Sequence, residues 1–97
     1  PPEAAARQPA EITREALVAA LDESRWTVKQ AAARLGIGRT SMYDLMRRHG
    51  LRTTRELTAA EVTLELESAG GELEAAARAL GVSRPGLVMR MKQLGLR

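Results

Sequence analysis

Apolar residues recur along this chain at helical spacing, in short runs that each close on a residue suited to ending a helix. Leu17 and Leu21 follow Thr13, and Val62 and Leu66 follow Thr58, each pair one turn apart. A threonine hydroxyl can accept from the unpaired amides of a first turn, so Thr13 and Thr58 are expected N-caps of two first helices. A second helix is expected over about 27–34 and again over about 72–79, short and rich in alanine, which lets a neighbour approach closely. Gly36 and Gly81 end it, being the residue type that tolerates a left-handed turn. Ile37 and Val82 are then expected to plug the core from within the turn. A third helix is expected over about 38–49 and 83–94, with Met42, Leu45 and Met46 inward in the first copy and Leu87 and Met91 in the second. Gly50 and Gly95 stop it.

The pattern is played twice because the chain is duplicated. Residues 11–52 lie over 56–97 without a gap at a shift of 45, with identity at twelve positions: Glu11, Thr13, Leu21, Ala31, Ala32, Leu35, Gly36, Arg39, Met46, Gly50, Leu51 and Arg52. About three would arise by chance from this composition. Pairs such as Leu17/Val62, Val28/Leu73, Ile37/Val82 and Met42/Leu87 keep their character. The expected architecture is all-α, two tandem three-helix helix-turn-helix units, with a linker or disordered stretch at 1–10, unit one at 11–52, a short linker at 53–57 and unit two at 58–97. Five linker residues span at most roughly 17 Å, so the units are expected to be neighbours.

Composition narrows the function classes. Hydrophobic residues make up 44 % of the chain but aromatics only 2 %, Trp26 and Tyr43. Such a core is aliphatic and suits small helical bundles rather than strand-rich folds. There is no cysteine and one histidine, His49, read as a helix C-terminal residue. With no glycine-rich phosphate loop and no room for a large cavity, neither an enzyme, a metal site nor a cofactor is expected. No apolar run approaches the roughly 18 residues of a membrane span, and no signal peptide is visible, so no membrane partner is expected. The opening PPEAAARQP, without an initiator Met, looks like the start of a fragment with a domain upstream.

Charge is distributed in blocks. The net value of +3 says little, but residues 56–74 carry six acids and no base, and residues 75–97 carry five bases and no acid. Residues 1–23 hold five acids against Arg7 and Arg14, and residues 24–55 hold eight bases against Asp44. Each unit is therefore expected to have an acidic first helix and a basic third helix.

The segment AAARLGIGRTSMYDLMRRHGL resembles the Fis-type helix-turn-helix, found also at the C-termini of NtrC-type transcription activators, and both units carry the pattern. The resemblance implies double-stranded DNA as partner, a bacterial cytoplasmic or nucleoid setting, and a third helix of each unit laid in the major groove. Arg39 and Arg84 stand at the family's arginine at the start of helix three, where a base edge or phosphate is in reach. A cation near a helix N-terminus is electrostatically unfavourable, so its presence twice needs a reason. Thr40, Ser41 and Ser83 suit phosphate or base contacts or serve as helix-start caps. Arg47, Arg48, Arg90 and Lys92 suit phosphates, or simply complement the helix end.

Several residues depart from the pattern. Asp44 would repel phosphates, accept from a cytosine amino group, or pair with Arg48 one turn on, and the pairing is expected. Pro85, Gly86 and Val88 replace Thr40, Ser41 and Tyr43, which makes unit two the expected weaker reader. Trp26, opposite Gly71, is expected to pack at the corner between helices one and two. Val18, Ala19, Thr63 and Leu64 lie off the first helices' core stripe and offer an association face, within one chain or between two in a homodimer. The rival function is a dimerisation or protein-interaction module that keeps the fold without touching DNA.

Overall fold

The computed structural model describes residues 12–96. The N-terminal stretch 1–10, with Glu11 and Arg97, lies outside the described residues. Among those described, the elements are α1 (Arg14–Glu23), α2 (Val28–Leu35), α3 (Arg39–Arg48), a 3-10 turn (Thr54–Glu56), α4 (Ala59–Ser68), α5 (Leu73–Leu80) and α6 (Arg84–Leu94), with no strand. The all-α class and the two sets of three helices are as the repeat predicts. None of these helices is long and apolar enough to cross a membrane.

Both first helices start where the threonines stand. Thr13 Oγ1 accepts from the Ala16 amide at 3.0 Å. Thr58 Oγ1 accepts from the Glu61 amide at 3.1 Å, while the Glu61 carboxylate returns to the Thr58 amide, closing a capping box. Ile12 and Leu57, each just before its cap, are buried, as are Leu17 and Val62 at the fourth helical position. That is the spacing of a hydrophobic staple, which fixes how the chain enters the helix. The second helices end at Gly36 (φ 71°) and Gly81 (φ 77°), whose left-handed backbone bonds back into the last turn.

In unit one α1 packs on α2 and α2 on α3. Leu17, Leu21, Met42, Leu45 and Met46 are sealed from solvent, and Trp26 is buried at the corner after α1 as expected. In unit two α4 packs on α5 and α6, and α5 on α6. Its core is thinner. Val62, Leu80, Val82, Leu87 and Met91 are buried, but Leu66, expected as the counterpart of Leu21, is only half-buried. The reason is local: Gly71 stands where unit one has Trp26, so no aromatic ring among the described residues covers that end of the core. Ile37 corrects the symmetry in the other direction, being half-buried where Val82 is sealed.

The division between the units falls between Gly50 and Leu51, earlier than the repeat alignment places it. The segment 51–57 belongs to unit two rather than forming a bare linker. The Arg52 amide donates to the Gly81 carbonyl at 2.7 Å, beside Val82 in the α5–α6 turn. The 3-10 turn packs on α6, with Thr54 and Leu57 buried.

Candidate functional site

The third helices carry the candidate chemistry, and burial separates their two faces. On α3, Met42, Leu45 and Met46 point inward, leaving Arg39, Thr40, Tyr43, Arg47 and Arg48 exposed on the other side. Ser41 is half-buried on the margin. Arg39, Tyr43 and Arg47 are spaced one turn apart, so they form a single outward row. Tyr43 is 40 % exposed between the two arginines. Sequence reasoning did not put it among the site residues, although its i+4 relation to Arg39 was available.

Asp44 takes the pairing expected of it, and more. Its carboxylate holds Arg48 at 2.8 Å and Arg47 at 3.1 Å. These are solvent-exposed pairs, each worth at most about 1 kcal/mol. Arg39 is different. It occupies the first helical position and has no ion-pair or hydrogen-bond partner among the described residues. The N-cap before it is Gly38, which brings no side chain to the first-turn amides. The start of α3 thus offers both a guanidinium and uncapped N–H groups, an arrangement suited to an anion.

Unit two repeats this face with different side chains. Arg84 is exposed at the first position of α6 and likewise has no partner among the described residues. Ser83 is the N-cap, and its Oγ accepts from the Gly86 amide at 3.1 Å. Pro85 has no N–H to offer, so the start of α6 presents fewer donors than the start of α3. Lys92 is exposed further along.

Arg90, read from sequence as a phosphate contact, is not on this outward face. Its Nε donates to the Leu57 carbonyl at 3.1 Å, one terminal nitrogen donates to the Arg55 carbonyl at 3.2 Å, and the other reaches Gln93 at 3.1 Å. Arg90 aligns with the buried Leu45. It takes the inward register and ties the 3-10 turn to α6, satisfying carbonyls that helix packing leaves open.

Two acids at the start of unit two are paired with a single arginine. Arg52, whose Nη1 lies 2.7 Å from Glu61 with Glu56 further off, bridges the start of unit two to α4. The hydrogen bond from Arg52 holds the Glu61 carboxyl below its ordinary value, aided by the Thr58 amide and opposed by desolvation. The same hydrogen bond raises the Arg52 guanidinium. Among the described residues no three of His, Cys, Asp or Glu converge on a metal-sized site.

A family model described as bacterial regulatory protein, Fis family, matches residues 8–49 and again residues 63–94. No curated protein and no solved structure matches the chain.

Proposed function

The chain belongs to the Fis family of bacterial regulatory proteins, and on that premise we propose that it is the DNA-binding module of a transcription regulator acting at the bacterial nucleoid, with the outward face of α3 laid in the major groove as its main reader. The family is one of DNA-binding regulators rather than of enzymes. The observation that carries the proposal is the pair of repeat-related arginines, Arg39 and Arg84, each exposed at the first position of a third helix without a carboxylate partner among the described residues. The helix dipole disfavours a cation there by a few tenths of a kcal/mol to about 1 kcal/mol. A phosphate or a guanine edge reverses that sign, because both accept from a guanidinium.

Around Arg39 the supporting groups are Thr40, Tyr43, the uncapped first-turn amides and, on release from Asp44, Arg47 and Arg48. Around Arg84 they reduce to Lys92. Ser83 is engaged in its cap, and Arg90 is held by backbone carbonyls. Unit two therefore supplies affinity for the phosphate backbone more than base reading.

The test is a mobility-shift titration of the full chain on duplex DNA across a salt series, with helicity checked for every variant. Charge reversal at Arg39 is expected to weaken binding by at least tenfold. The same reversal at Arg34, which is paired with Glu23 at 3.2 Å on α2, is expected to change it less than threefold. Salt-independent binding, or equal losses at the two arginines, overturns the proposal.

A further inference from the structure

Unit two contains an open apolar cleft of about 580 Å³, walled by Leu66, Leu73, Val88 and Met91, with Gly71 at one edge and Glu67 beside it. Its volume is in the range of ligand sites, and the duplication shows what it lacks. A shift of 45 maps Leu66, Glu67, Gly71, Leu73 and Met91 onto Leu21, Asp22, Trp26, Val28 and Met46. In unit one the Trp26 indole is buried, its Nε1 donating to Asp22 Oδ1 at 2.8 Å, and Leu21, Val28 and Met46 are all buried with it. In unit two Leu66 and Leu73 are left half-exposed.

The backbone at the two corners is the same. Trp26 has φ 58° and donates its amide to the Leu21 carbonyl at 2.7 Å; Gly71 has φ 84° and donates to the Leu66 carbonyl at 2.8 Å. A Cβ added at Gly71 would meet nothing within 4 Å. Unit two thus keeps the apolar walls and, in Glu67, a carboxylate acceptor at the position of Asp22, but not the ring.

We infer that this cleft is a docking site for a tryptophan side chain of a partner polypeptide, which supplies in trans the indole that Trp26 supplies in cis, with Glu67 accepting the ring N–H. The ring is specified by the repeat itself: a flat aromatic body for the aliphatic walls and one donor for the carboxylate. The cleft is several times larger than an indole and leaves room for the backbone on either side of the inserted residue. The inference does not rest on the DNA-binding proposal, although Lys92, proposed to face DNA, and Val88, which aligns with Tyr43 on α3, both border the cleft.

The experiment is a methyl NMR titration of the full chain, labelled at methionine, with N-acetyl-tryptophanamide, indole, 1-methylindole and N-acetyl-leucinamide as probes. Met46 and Met91 are repeat equivalents, so Met46 is the internal control. Saturable shifts at Met91 with Met46 unmoved are expected, at dissociation constants on the order of millimolar for a ligand of this size. The capped tryptophan should bind within threefold of indole, because the cleft accepts a ring carried on a chain. The leucine analogue and 1-methylindole should each bind at least threefold more weakly. Gly71→Trp, which places a ring in the cleft from within, should abolish the response, and Glu67→Ala should remove the preference for indole over 1-methylindole. The inference is overturned if Met91 does not shift, if Met46 shifts equally, if indole binds but capped tryptophan does not, or if Gly71→Trp folds and still binds.

Discussion

A single residue pair shows how sequence position and burial part company. Leu21 and Leu66 are identical in the repeat, yet Leu21 is sealed and Leu66 is half-exposed. Leu21→Ala is expected to cost about 2–5 kcal/mol, as for a filled core site. Leu66→Ala should cost less than about 2 kcal/mol, because part of its side chain is already in water. Urea denaturation of the two variants checks the difference, and equal costs would mean that Gly71 does not open the core. Trp26 has a conformational cost of its own: with Arg25 it adopts a left-handed backbone at φ 58° and 53°. For a non-glycine residue this costs roughly 1–2 kcal/mol, which burial of the indole offsets. Unit two uses Gly70 and Gly71 at the same corner and avoids the strain, but goes without the covering ring. Ser24 gives a prediction of the opposite sign. Its Oγ is buried with no hydrogen-bond partner among the described residues, and its repeat equivalent is Ala69. Ser24→Ala is expected to leave stability unchanged or raise it by up to about 1 kcal/mol, since a lone buried hydroxyl is a desolvation cost. A clear loss of stability in the same assay would show that the hydroxyl has a partner.

At the scale of elements, the acidic first helix of unit two is tied down by charge as well as by its cap. Glu61 is depressed in the folded state, chiefly by Arg52. A depressed carboxyl contributes stability above its unfolded value, near pH 4.3, and loses it as pH falls through the lower folded value. Unit two should therefore weaken more steeply than a Glu61→Gln variant below about pH 4.3, as followed by denaturation midpoints between pH 3 and 6. Parallel pH curves would show that the Arg52 pair contributes nothing. The helices themselves were legible because their ends are written locally: Thr13, Thr58, Gly36 and Gly81 act within one turn of where they stand. Helices two and three each begin one residue later than the pattern places them, a fraying-scale difference. What was not legible depends on partners distant in sequence. Residues 53–57 look like a polar linker until Arg90, more than thirty residues on, is seen holding their carbonyls. The alignment did contain a hint, since Arg90 stands where Leu45 points inward. Reading every base on a basic helix as a phosphate contact passed over it. The outward faces of Arg39 and Arg84 were legible for the converse reason, as helical periodicity alone sets which side of an amphipathic helix meets solvent.

At the scale of the whole molecule, the two third helices divide the proposed work unequally. Arg39, Arg47, Arg48, Arg84 and Lys92 are exposed cations on the outward faces, but Asp44 offsets one of the three on α3. Between three and five neutralised phosphates give an expected slope of log K against log salt of about −3 to −4.5. Asp44→Asn should steepen the slope and tighten binding at low salt, by removing an anion that competes for Arg47 and Arg48. Specificity should follow a different rule. Beside its arginines α3 presents Thr40, Tyr43 and Asp44, all able to hydrogen-bond, whereas α6 has Pro85, Val88 and Met89 at those positions, none with a side-chain donor or acceptor suited to a base edge. The double variant Arg84→Ala/Lys92→Ala should lower the magnitude of the slope by about 2. It should weaken binding to a selected site and to random duplex by the same factor. Arg39→Ala should instead erode the ratio between the two, because a bidentate hydrogen bond to a base edge is worth about 1–3 kcal/mol of discrimination. Parallel titrations on a selected and a scrambled duplex decide the matter. If the unit-two variant collapses the preference for the selected site while Arg39→Ala leaves it intact, then α6 rather than α3 is the reader, and the polar row on α3 serves only the phosphate backbone.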